Sequence, residues 1–87
     1  MSTNKDSNIK TEFGLKFDAK DIGRHITKLR MQQKMTRYRL ALCSGIRESV
    51  LMQTEKGARE PRLNTVLKII AGLDLTIADF FSRFNSK

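Results

Sequence analysis

The chain has 87 residues, one cysteine and a formal net charge of +8, a length that allows one domain with a modest core and makes support from a second copy an early expectation. A lone cysteine excludes an intrachain disulfide and fits a reducing cytoplasm, while the excess of cations suits a partner that carries phosphates. No apolar run is long enough to span a bilayer, and the polar opening residues have no apolar segment behind them of the kind a signal peptide needs, so a soluble cytoplasmic protein without a membrane partner is expected.

Residues 1–10 are polar and aperiodic, which predicts a disordered arm. Over 11–17, Phe13, Leu15 and Phe17 alternate with Glu12, Gly14 and Lys16, the period of a strand. Two readings stay open there: a short strand that needs an edge to pair with, such as the same segment of a second copy, or an irregular arm whose phenylalanines cover the core. The chain thus divides into an N-terminal arm, 1–17, and a helical domain, 18–87.

Asp18 is placed to cap a first helix over about residues 19–33, with Asp21 suiting the positive end of the helix dipole. Ile22, Ile26 and Leu29 fall on one face, with Arg24, Lys28 and Gln32 elsewhere. His25 lies one residue off that stripe and has no His, Cys or close acidic partner at ligand spacing, so no metal site is expected. Thr36 caps a second helix, from Arg37 to about Cys43, with Met35 and Leu40 spaced as a hydrophobic staple. Arg37 and Arg39 are expected to project from its first turn toward a sugar-phosphate backbone, where the capped amide end can also receive a phosphate oxygen. Cys43 reads as a small residue near the helix end; a redox switch would need a lowered pKa, for which the sequence offers only general basic surroundings.

Leu40 and Ala41 give the second helix an apolar face, and Gly45 stands where the chain must reverse. Glycine permits the left-handed backbone that ends a helix, and the apolar Ile46 then packs the corner. A third helix follows from about Arg47 to Lys56, with Ile46, Val50 and Leu51 as the matching face. Two short helices joined at such a corner make a helix-turn-helix plan.

Gly57 supplies the next stop and Pro61 restarts the chain, leaving Lys56, Arg59 and Arg62 in a loop where they are expected to lie along phosphates. Between Arg24 and Arg62 the cations Arg24, Lys28, Arg30, Lys34, Arg37, Arg39, Arg47, Lys56, Arg59 and Arg62 face only Glu48, Glu55 and Glu60, so basic charge concentrates on the helix-turn-helix. A fourth helix is expected over about 63–73 with Leu63, Val66, Leu67 and Ile70 inward, and Asp74 takes the turn. Thr76 caps a fifth helix with Asp79 in its first turn. Its stripe of Ile77, Phe80, Phe81 and Phe84 exceeds the needs of so small a core, and part of it is expected to form a two-fold dimer interface; full burial within one copy is the other reading.

Ala41, Gly45, Ile46, Leu51, Glu55, Gly57 and Pro61, with Arg30 upstream and the run from Leu63 to Ile70 downstream, resemble the Xre-type helix-turn-helix family of Cro and lambda-repressor-like DNA-binding domains over about residues 21–84. An Ala-x-x-x-Gly match alone carries little, because small residues near turns are common in helical hairpins; the Glu-x-Gly-x-x-x-Pro segment in register after it makes the likeness specific. The resemblance implies an all-α, compact five-helix lambda-repressor-like domain whose third helix enters the major groove of double-stranded DNA. By match to the family's base-contacting positions, Arg47, Glu48, Ser49, Met52 and Gln53 would read base edges. The family positions matched by Arg30 and Glu55 form an ion pair, which implies a structural role for both. The sequence departs from the pattern at Arg47, where the family usually has a Ser or Thr cap, and at Thr54, where an apolar residue is common, which suggests a looser core there.

With one His, no Trp, no Gly-rich phosphate loop and no Ser or Cys with a base at a recognised spacing, a catalytic constellation is hard to assemble, so a non-enzymatic protein with no cofactor is expected. The leading expectation is a sequence-specific transcriptional regulator binding a palindromic operator as a homodimer, with half-sites roughly 34 Å apart. The alternative is an antitoxin that blocks a toxin protein through its arm or last helix and autoregulates its operon. A non-specific nucleic-acid binder stands third and predicts equal affinity for random DNA.

Overall fold

The computed structural model describes residues 18–84, so the arm expected over 1–17, with its strand at 11–17, lies outside the described residues. Among the described residues the structure is five helices and no strand: α1 (Ala19–Gln32), α2 (Arg37–Ser44), α3 (Glu48–Lys56), α4 (Leu63–Gly72) and α5 (Ile77–Phe84).

Three of the helix starts are closed by a short side chain that takes an otherwise orphaned amide. Asp18 accepts from the Asp21 N–H at 2.8 Å, Thr36 from Arg39 at 3.0 Å and Thr76 from Asp79 at 3.0 Å. The first of these bonds also holds the Asp18 carboxyl below the usual carboxylate range, because the amide favours the ionised form. The α2–α3 corner turns at Gly45, φ 71°, with the Ile46 N–H returning to the Ala41 carbonyl at 3.1 Å. A side chain would have open space there, so the requirement for glycine is conformational.

α1 packs chiefly on α3 and α2 on α4. The first crossing is close because of Gly23, where an added β-carbon would collide with the Thr54 and Glu55 carbonyls. The core is Ile26, Leu29, Leu40, Ala41, Leu51, Val66, Ile69, Ile70, Leu73 and Phe80, with Ile22, Met35, Ile46 and Leu67 packed around it.

Two expectations are corrected. Leu63 points outward, 71 % exposed, because the buried stripe of α4 runs through Val66, Ile69 and Ile70 and the first turn lies beyond it. Thr54 does not loosen the core: it is buried, and its hydroxyl donates to the Val50 carbonyl at 2.8 Å, so its polar atom is satisfied within α3. The Ser44 hydroxyl, by contrast, is buried against Gly72 with no hydrogen-bond partner among the described residues.

Candidate nucleic-acid interface

α3 has an anchored side and an open side. Leu51, Thr54 and Glu55 are buried, whereas Glu48, Ser49 and Gln53 are exposed and Met52 is half-buried. Arg47 precedes the first turn in the extended cap conformation, φ −71° and ψ 145°, yet makes no side-chain cap bond. Arginine has no acceptor to offer an amide. Its guanidinium is therefore left exposed beside the N-terminus of α3. Arg62 repeats this arrangement at the start of α4.

A single carboxylate holds α3 from behind. Glu55, with 3 % of its side chain exposed, takes Arg30 Nε at 2.7 Å and Nη2 at 3.2 Å, and Arg30 Nη1 also donates to the Met35 carbonyl at 2.9 Å. Arg37 Nε reaches the same carboxylate at 3.1 Å. Glu55 thus ties α1, α2 and α3 together, with the forked geometry that makes arginine–carboxylate pairs strong. The position of Arg37 corrects the expectation that it projects freely: its side chain turns to Glu55 and keeps 36 % exposure. No local pattern signals this, since the partners lie 18 residues apart.

The other cations are in the open. Thr36, Arg39, Lys56, Arg59 and Arg62 are all exposed, and a groove between α3 and the start of α4 is lined by Gln53, Glu60, Thr65, Arg59 and Arg62. The open edge of α3 thus carries carboxylate, hydroxyl and amide groups, with the exposed Arg47 at its start and Arg59 and Arg62 in the groove beside Gln53.

Behind this face, His25 joins α1 to α5. Its Nε2–H donates to the Phe80 carbonyl at 2.8 Å, an assignment that follows because a carbonyl oxygen can only accept. The ring meets Phe80 and Phe84 edge-on, with centroids 4.6 and 5.0 Å apart. Burial pushes the His25 pKa below its ordinary value; the Phe80 carbonyl acts the other way, and the charges of Lys28 and Arg83 add to the lowering. Sequence periodicity offered no role for this residue. It also changes the apolar stripe of α5: Phe80 is fully buried within the chain, Phe81 and Phe84 are half-buried, and Ile77 remains 56 % exposed. Phe80 therefore leaves the expected dimer interface.

Among the described residues no group of three or more His, Cys, Asp or Glu side chains is gathered as metal ligands, and no helix is long and apolar enough to cross a membrane.

The family model for the Cro/C1-type HTH DNA-binding domain matches residues 25–85. The wild-type restriction-modification controller protein C.Esp1396I superposes with a TM-score of 0.74 at 23 % identity, over 79 % of this chain and 91 % of that one. The restriction-modification controller protein C.AhdI from Aeromonas hydrophila gives a TM-score of 0.68 at 27 % identity, over 72 % of this chain and 96 % of that one. The comparison with curated proteins gave no match.

Proposed function

We propose that this chain, which belongs to the Cro/C1-type HTH DNA-binding domain family, binds a palindromic operator as a homodimer, with α3 of each copy in the major groove. The chain is a DNA-binding regulator of transcription; the operator symmetry, the dimer and the contacting residues are what we add. The observation that carries the proposal is the open edge of α3, where Arg47, Glu48, Ser49 and Gln53 stand exposed on a helix that Glu55 anchors from its other side.

The chemistry of each side chain suits base edges. Gln53 can bond adenine through two atoms, Arg47 can do the same to guanine, Glu48 can accept from a cytosine amino group, Ser49 can bond either way, and Met52 can pack on a thymine methyl. Thr36, Arg39, Lys56, Arg59 and Arg62 contact phosphates, as does the outer part of the Arg37 guanidinium, and these contacts fix the register in which α3 meets the bases. The two-fold contact is assigned to the outer side of α5, around Ile77, Phe81 and Phe84. Occupying a promoter excludes polymerase, and occupying a site beside it can recruit polymerase; the chemistry is binding rather than catalysis. The antitoxin alternative finds no support in the comparisons, which return controller proteins.

Footprinting on the promoter of its own gene tests this. The expected result is a protected pair of half-sites, with Gln53→Ala changing base preference at one position of each. Equal protection of random DNA, or a uniform loss of affinity in Gln53→Ala, would remove α3 from the role of reader.

A further inference from the structure

Four helices of this chain end in the same way. Lys34, Gly45, Gly57 and Asp74 have φ values of 58°, 71°, 67° and 60°. After each, the next amide returns to a carbonyl five residues back: Met35 to Arg30, Ile46 to Ala41 and Ala58 to Gln53 at 3.1 Å, and Leu75 to Ile70 at 3.2 Å. A β-carbon crowds the following carbonyl in this left-handed backbone; glycine escapes the clash and aspartate tolerates it, but lysine has no such advantage. The side chain of Lys34 is exposed and forms no hydrogen bond or ion pair with the described residues.

What Lys34 does offer is a cation in a particular place. It stands two residues before the Thr36 cap, in a stretch from Met31 to Arg47 that holds Lys34, Arg37, Arg39 and Arg47 and no acidic residue. Arg37 is partly drawn back to Glu55, which leaves Lys34 and Arg39 as the exposed cations around the start of α2. Strained backbone kept at a position glycine would relieve points to a side chain retained for use.

We propose that Lys34 is a DNA-phosphate contact, its ammonium held against the backbone beside the N-terminus of α2, and that the left-handed lysine is kept for this contact at the expense of stability. The inference rests on the reading of α3 as the helix that faces the major groove. Thermal unfolding and DNA titrations at several salt concentrations test it. Lys34→Gly should melt at a higher temperature yet bind operator and random DNA several-fold more weakly, with the slope of log K against log salt shallower by about one counterion. Lys34→Asn, which tolerates the backbone but lacks the charge, should bind with the same loss, and Lys34→Arg should keep the affinity and slope of the parent. Parental affinity and slope in the glycine and asparagine variants would overturn the contact. The preference of the parent for operator over random DNA, read in the same titrations, reports on α3 separately: its absence would sink the reading of α3, whereas the Lys34 slope decides only Lys34.

Discussion

Along the inner side of α3, Leu51, Thr54 and Glu55 are buried, and the polar atoms of the latter two are matched by Val50, Arg30 and Arg37. Along the outer side, Glu48, Ser49 and Gln53 are exposed, and Arg47 occupies a cap position it cannot serve. The same nine-residue helix therefore has a packed side and an open side. Residues on one side hold the domain together, and residues on the other side are the ones we propose as readers of DNA.

Substitutions can break this division or sharpen it, and the largest effect is expected on the inner side. Glu55→Ala strands Arg30, only 11 % exposed, and Arg37 beside it, and should cost about 3 to 5 kcal/mol in chemical denaturation. That is enough to unfold a marginal domain, so DNA binding would disappear with the fold. A folded Glu55→Ala variant of parental stability would show that the clasp is dispensable. Arg47→Ser should move stability and binding in opposite directions. A serine at the cap can accept an amide that arginine leaves free, which should add about 1 kcal/mol, while operator affinity falls. Parental affinity in this variant would take Arg47 off the list of readers.

The smallest effect separates the two sides by solution condition. His25 is held neutral in the fold, with its pKa below that of the unfolded chain. Its contribution is fully present above about pH 6.5 and is lost as the pH falls below that value toward the folded pKa, because the unfolded chain takes up the proton first. Unfolding measured across this window should show stability falling with acid. The part due to His25 should vanish in His25→Gln, which keeps an N–H donor for the Phe80 carbonyl; an unchanged slope would assign it to other groups. DNA affinity, by contrast, should respond chiefly to salt.

Much of the helical framework was legible from local sequence. Asp18, Thr36 and Thr76 announced three helix starts, and Gly45 with Ile46 announced the corner, because a cap or a left-handed turn involves atoms only a few residues apart. The stripe of α4 was misplaced at Leu63 because periodicity gives a face but not the point along the helix where the neighbouring helix begins. At the site, the open placement of Gln53 and Ser49 agrees with their polar character, but nothing local distinguished Arg37, drawn to Glu55, from Arg39, which is left exposed.

The sequence by itself determined the helices, the corner between α2 and α3, the basic balance around them and the likeness to one DNA-binding family. Each of these depends on short-range geometry or on composition. Tertiary structure alone decided that Gly23 admits α3 against α1, that Arg37 joins Arg30 on the Glu55 carboxylate, and that His25 closes on a carbonyl 55 residues away. Those contacts join residues whose neighbours in the chain give no sign of the meeting, since only the packing of the helices sets the distances between them.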